Sequence, residues 1–335
     1  MRLASLPQRR DGRLIVVSAD LAWYADADHI VPTLQGVLDD WDRHAPHLET
    51  LATELEHGAI PRRRFHEREA CAPLPRAYQW VDASGYLAHV ELVKKIAGGG
   101  LTDDLRAQPL IYQGGSDDLC PGRSPIPLAD EKWGCDFEAE VCVVTGDVAQ
   151  GASREEALAA IRLVGLANDV SLRRIAGTEL ARGFGFVQAK PATSFSPVFA
   201  TPRALGAAWA DGKLHLPLTI DLNGQHFGRP NAGEGMDFDF GTIIAHLAKT
   251  RRLGAGTIVG GGTVSNYEDD GSPARAVSAG GKGWSCLIEP RTIEALAGGK
   301  PVTPFLKQGD TVRIEMRDAK GHSLFGAIEQ SVVGG

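Results

Sequence analysis

The chain has 335 residues, 43% of them hydrophobic, which is enough for a sizeable core and excludes a disordered polymer. Its 35 lysines and arginines against 42 aspartates and glutamates give a formal net charge of −7, and no basic stripe interrupts it. That balance excludes non-specific binding to nucleic acid or an anionic membrane.

The start, Met1 to Arg13, is charged and lacks the apolar run of a secretory signal. No stretch approaches the roughly 20 apolar residues of a bilayer span. The 5 cysteines are odd in number and show no Cys-x-x-Cys spacing, so neither a disulfide framework nor a zinc knuckle is expected. The expectation is a soluble, cytoplasmic protein. The 40 glycines point to a loop-rich β architecture.

In chain order, short apolar stretches at Leu3–Leu6 and Leu14–Val17 precede helical patterns at Thr33–Trp41 and His47–Leu55. A charged stretch from Pro61 to Glu69 then runs into Pro73-Leu-Pro75, which reads as a linker. Residues 1–75 are therefore expected to form a small α+β domain, and residues 76–335 a larger one that is mostly β with some helix. Asp82 is placed to cap a helix running through His89 to about Ile96 and ending at Gly98-Gly-Gly100.

Phe137 to Val144 alternates as a strand, and Ser153 with Glu156 has the spacing of a capping box. Leu163–Leu166 reads as a buried strand running into Asn168-Asp169. The alternation Leu214, Leu216, Leu218, Ile220, Leu222 predicts one strand, and Asn223-Gly224 predicts a hairpin turn after it. Phe240, Ile243, Ile244 and Leu247 share a helical face. Val312–Met316 and Leu324–Ile328 read as a closing antiparallel pair around Lys320-Gly321.

Three common motifs fail. Gly254-Ala-Gly256 ends its pattern in valine at Val259, and Gly260-Gly-Gly-Thr263 lacks the lysine of a phosphate-binding loop. Gly283-Trp-Ser285 lacks the last glycine of a nucleophile elbow. His44 and His47 flank a proline and read as surface or capping residues.

The carboxylates carry more information. Glu138 and Glu140 lie two apart in a predicted strand, so both leave one face, roughly 6–7 Å apart. That face continues through Cys142 and Val144, while Phe137, Ala139, Val141 and Val143 form the other. Two like charges on a half-buried strand call for a cation or an arginine between them. The alternative is an exposed strand end with two solvated acids.

Asp169, at the end of a buried strand, would add a third oxygen donor. An all-oxygen set suits Mg²⁺, Ca²⁺ or Mn²⁺ and not zinc. Asp82 and His89, seven apart, are placed on one face of a helix at a separation of roughly 10.5 Å. His89 is either a satisfied, half-buried histidine or a general base.

Taken in order, Asp82 with His89, Glu138-Ala-Glu140, Asn168-Asp169-Val-Ser-Leu-Arg173, Lys190, Gly262-Thr263-Val-Ser265 and Ser285-Cys-Leu-Ile-Glu289 resemble the fumarylacetoacetate hydrolase family from about Arg76 onward. The resemblance implies a mixed β-sandwich roll, usually dimeric, preceded by a smaller N-terminal domain. It implies a divalent cation, Mg²⁺ or Ca²⁺ or else Mn²⁺, held by Asp82, Glu138, Glu140 and Asp169. It further implies His89 as base oriented by Glu289, Arg173 and Lys190 on the developing enolate, and Tyr112 and Thr263 on the substrate side.

The departures concern the substrate. The family's usual histidine and arginine after the tyrosine are Gln113 and Gly115 here, and Ser84 stands where a tyrosine is usual. The glutamine and tyrosine of the loop after the third acid are missing from Ile175–Leu180. The implied activity is metal-dependent hydrolysis of a carbon–carbon bond in a small 1,3-diketo acid, with fumarylacetoacetate from tyrosine breakdown first. Acylpyruvate or fumarylpyruvate hydrolysis, oxaloacetate-type decarboxylation and 2-keto-enoate hydration or isomerisation are the alternatives on the same site. A non-catalytic module with a structural cation is a further one.

Overall fold

The computed structural model describes residues 1–96 and 98–335. Its largest sheet runs in the order Arg63–Arg64, Trp23–Asp26, Arg13–Val17, Arg2–Leu6, Phe199–Ala200, Ile161–Asn168, Ala139–Thr145, Thr257–Gly260, Gln79–Ala83, Ile111–Gly114. Neighbours along this path are antiparallel except Thr257–Gly260 beside Gln79–Ala83, which are parallel. A second sheet of five strands pairs Gln225–Gly228, Leu218–Leu222, Thr311–Met316, Ile328–Gly334 and Ile126–Leu128 in that order. The expected mixed, β-rich architecture with helices is what forms, with a smaller N-terminal α+β part. Arg2–Leu6 pairs with Phe199–Ala200, so that part shares the main sheet with the rest of the chain. No helix among the described residues is long and apolar enough to cross a membrane.

Alternation decides which side chains reach the site. Along Ala139–Thr145, Val141 and Val143 enter one hydrophobic cluster with Val81, Val164, Leu166 and the second sheet. Cys142 and Val144 enter another with Trp80, Leu163, Ala167 and the N-terminal helix residues Leu48, Leu51 and Leu55. Each buried aliphatic side chain is worth about 1.5–3 kcal/mol, so a one-residue slip that exchanged the faces is prohibited. Glu140 and Asp82 are thereby fixed on the face shared by Cys142 and Trp80.

Several expected elements form with local chemistry as read. Thr33 caps the helix Leu34–Asp39, and the Ser153–Glu156 capping box is complete. Asp239 caps Phe240–Ala248 through the amides of Gly241 and Thr242. Asn223 and Gly224 take φ of 52° and 72° in the hairpin turn. His44 and His47 lie on the helix Trp41–Glu56.

Three expectations are corrected. The run Leu214–Leu222 is broken: Lys213–Leu214 pairs with Trp209–Ala210, and the sheet strand is only Leu218–Leu222. Pro217 supplies no N–H to carry a ladder through the gap. Thr311–Met316 pairs with Ile328–Gly334, beyond the expected Leu324–Ile328. Gly326 explains the delay, because it sits at φ 72° against Pro197 and Glu67, a turn rather than a strand position. Finally, Asp82 caps no helix. It lies in Gln79–Ala83, and the helix Leu87–Ile96 takes its first amide bond from Leu87 to Asp237 Oδ2 at 2.8 Å.

Candidate active site

Asp82, Glu140 and Asp169 converge at the ends of three strands, their carboxylate oxygens within 4.8 Å of one another. All three side chains are buried. Strand register brings them together: Glu140 pairs with Ala167 two residues before Asp169, and Asp82 is opposite Gly260, which is opposite Cys142. Gly260 is required there. A Cβ at that position would sit 2.2 Å from Asp82 Oδ1 and 2.9 Å from Glu140 Oε2.

Both Glu140 oxygens are buried without a hydrogen-bond donor. Asp82 Oδ1 accepts from the Gly262 amide at 3.2 Å, and Asp169 Oδ1 accepts from Thr193 Oγ1 at 3.0 Å. Burial, then repulsion from Asp169, lifts the Asp82 carboxyl to about 8, while burial and Asp82 push Glu140 well above the carboxylate range. Oxygen-only and crowded with like charge, with Glu140 lacking any donor, this set fits a hard divalent cation.

Glu138 has a different environment. It precedes the strand proper, forming an isolated bridge with Cys286, and its oxygens are already taken. Arg173 Nη2 donates to Oε1 at 2.6 Å and Lys190 Nζ to Oε2 at 2.5 Å. Burial raises its carboxyl, but Arg173 and then Lys190 outweigh that and hold it below the ordinary range. Lys190 also donates to Asp169 Oδ2 at 2.6 Å, linking Glu138 to the three-carboxylate cluster instead of placing it inside that cluster.

Tyr112, on Ile111–Gly114, donates to the same Asp169 Oδ2 at 2.6 Å, and the Lys190 ammonium lies 5.1 Å from its ring centre. Its ring and Phe186 border a cleft of about 460 Å³. Thr263 is buried just beyond Gly262 at the end of Thr257–Gly260.

His89 lies in the helix Leu87–Ile96, and its Nδ1 is 2.8 Å from Glu289 Oε1. Its side chain is 14% exposed, whereas that of Glu289 is 1% exposed. Glu289 lies in the first turn of the helix Ile288–Leu296, not at a strand end. The premise that Asp82 and His89 share a helix face is therefore wrong. One comes from a strand and the other from a helix, and the short run Trp80-Val-Asp-Ala-Ser-Gly carried no periodicity able to separate the two.

Sequence reasoning missed Asp136. It is fully buried and accepts from the amides of Leu287 at 2.6 Å and Ile288 at 3.0 Å and from Arg173 Nε at 2.8 Å. One carboxylate thus fixes both the start of the helix bearing Glu289 and the arginine beside Glu138. Its position two before Glu138 was the available signal. Arg173 pairs with these two acids and not with Glu179, which instead accepts from the amides of Val187, Gln188 and Ala189.

Counting Asp136, five buried carboxyls surround two buried cations. A divalent ion bound there would offset most of that imbalance.

Two family models match the chain in succession. The model described as fumarylacetoacetase N-terminal domain 2 covers residues 1–76, and that described as fumarylacetoacetate (FAA) hydrolase C-terminal covers residues 79–333. The chain belongs to the fumarylacetoacetate hydrolase family.

Solved structures agree on the fold. Fumarylacetoacetate hydrolase from the psychrophilic Exiguobacterium antarcticum is 16% identical with a TM-score of 0.63, covering 100% of both chains. Maleylpyruvate hydrolase from Sphingobium sp. SYK-6, in complex with manganese(II) and pyruvate, is 17% identical with a TM-score of 0.63, also covering 100% of both. A probable 2-hydroxyhepta-2,4-diene-1,7-dioate isomerase from Mycobacterium abscessus is 15% identical with a TM-score of 0.63, covering 100% of this chain and 99% of that one. At these identities the likeness establishes the fold alone. No curated protein matches the sequence.

Proposed function

We propose that this member of the family is a metal-dependent hydrolase that cleaves a carbon–carbon bond in a small 1,3-diketo acid, fumarylacetoacetate being the first candidate. The observation that carries the reading is the 2.8 Å His89–Glu289 contact together with a cluster of three crowded carboxylates, of which Glu140 has no hydrogen-bond partner. Asp82, Glu140 and Asp169 would hold the cation, and Glu138, whose oxygens accept from Arg173 and Lys190, would complete the set from the neighbouring position. When bound, the cation supplies Lewis-acid polarisation of the diketone oxygens.

His89 takes the proton from water next to one carbonyl. Glu289 holds the ring in one orientation and stabilises the imidazolium that results. Arg173 and Lys190 place positive charge where the departing enolate develops, which lowers the barrier because both are already fixed by buried acids. Tyr112 and Thr263 supply hydroxyls on the substrate side. The local field of these cations lets an overall acidic protein accept an anionic acid.

The names of the relatives span hydrolysis and isomerisation, and one of them was solved with manganese(II) bound. Water activation is what separates the readings: decarboxylation or isomerisation leaves the His89–Glu289 pair without water to activate. The test follows the ultraviolet band of the 1,3-diketone against fumarylacetoacetate and a panel of acylpyruvates, with Mg²⁺, Ca²⁺ or Mn²⁺ and with EDTA. Cation-dependent loss of the band with two acid products supports hydrolysis. Turnover confined to oxaloacetate, or persisting in EDTA, overturns it.

A further inference from the structure

Cys286 has no part in the chemistry above, yet its sulfur, one ring nitrogen of His89 and a carboxylate oxygen of Glu289 lie within 4.8 Å of one another. We propose that these three residues form a second cation site, one that takes a thiophilic divalent ion such as Zn²⁺ and thereby switches off the His89–Glu289 pair.

The donor types distinguish this site from the carboxylate cluster. Asp82, Glu140 and Asp169 offer oxygen only, which suits hard ions, whereas nitrogen, sulfur and one carboxylate are the donors zinc prefers. Charge also balances: a thiolate, a carboxylate and a neutral imidazole around a dication sum to zero, the state that a buried site tolerates. Cys286 and Glu289 are buried, and His89 is nearly so.

The scaffold is already built. Cys286 is held by its backbone bridge to Glu138, and the adjoining turn is tied down by the Leu287 and Ile288 amides on Asp136. The helices Leu87–Ile96 and Ile288–Leu296, bearing His89 and Glu289, pack against each other. Three protein donors leave a fourth position for water, as in many zinc sites.

Binding there commits the imidazole to the metal and takes the carboxylate from it, so His89 no longer accepts a proton. One ion class would activate the protein and another would silence it. The inhibitory consequence rests on His89 acting as the base; the binding itself does not.

The test uses the full-length protein with excess Mg²⁺ filling the carboxylate cluster and Co²⁺ as the optical probe. The expected result is a thiolate-to-cobalt charge-transfer band that saturates at one equivalent and is displaced by Zn²⁺. The band is lost in C286S, C286A and H89Q and retained in E140Q. Absence of the band, or its survival in both Cys286 variants, overturns the site. In the activity arm, Zn²⁺ lowers Mg²⁺-supported turnover, and its inhibition constant rises at least about tenfold in C286S. Equal inhibition of both proteins, or activation by Zn²⁺, overturns the switch. A cobalt band in a protein that turns over no diketo acid would sink the proposed hydrolase while leaving the site standing.

Discussion

Glu138 and Glu140 are separated by one residue and are both buried, yet they live in opposite electrostatic surroundings. Glu138 is held by Arg173 at 2.6 Å and Lys190 at 2.5 Å, and its carboxyl stays ionised below the usual range because these cations outweigh its burial. Glu140 has no donor on either oxygen and faces Asp82 and Asp169, so burial and like charge push it upward. The difference teaches where the fold has completed its own electrostatics and where it has left a deficit for a bound cation. The paired region fixes Arg173 and Lys190 in place, and the carboxylate cluster is where the proposed cation would bind.

His89→Ala gives the largest expected effect: turnover falls by about a hundredfold to ten-thousandfold with Mn²⁺ affinity unchanged, measured by steady-state kinetics and metal titration. A joint loss of affinity would erase the line between base and metal site. Glu138→Gln, which removes one of the two acids held by each of Arg173 and Lys190 and leaves Asp136 and Asp169 on them, is expected to cost about 1.5–3 kcal/mol in denaturant unfolding. An unaltered midpoint would show that the paired region is not held as described.

The pH dependence of stability sharpens the contrast. Metal-free, the unfolded chain ionises Asp82 near 3.8 while the folded one keeps its proton to about 8. The folded state therefore binds more protons across that window, and stability falls as pH rises, by at most about 1.4 kcal/mol per pH unit for this group. Saturating divalent cation should restore more of the melting temperature at pH 8 than at pH 5. Glu138, lowered on folding, acts in the other direction: its contribution is present above the unfolded value and is lost as pH falls.

Glu140→Gln gives the smallest effect, weakening cation binding and turnover together by at least about tenfold. It should not lower the metal-free melting temperature, since Glu140 is crowded by Asp82 and Asp169 and has no hydrogen-bond donor to lose. A clear drop would mean that Glu140 has a donor of its own.

Much of this was legible locally. The Ser153 capping box and the Asn223-Gly224 turn depend on interactions within a few residues, so they survive into the fold unchanged. The two faces of Ala139–Thr145 follow from a strict period of two. Asp82 was misplaced because a five-residue strand bounded by Ser84-Gly85 offers too little pattern to outvote a plausible cap. Asp136 was missed because its partners, Leu287, Ile288 and Arg173, lie far along the chain and leave no periodic trace.

By itself, the sequence determined the β-rich class, the ordered set of acidic and basic side chains and the oxygen-only character of the carboxylates, because residue type and short-range spacing govern each of these. Only the tertiary structure decided that Glu138 is bound by two cations while Glu140 is bound by none, and that Cys286 meets His89 and Glu289. Charge compensation inside a protein depends on distance through space, and strand pairing and helix packing set that distance between residues far apart in the chain.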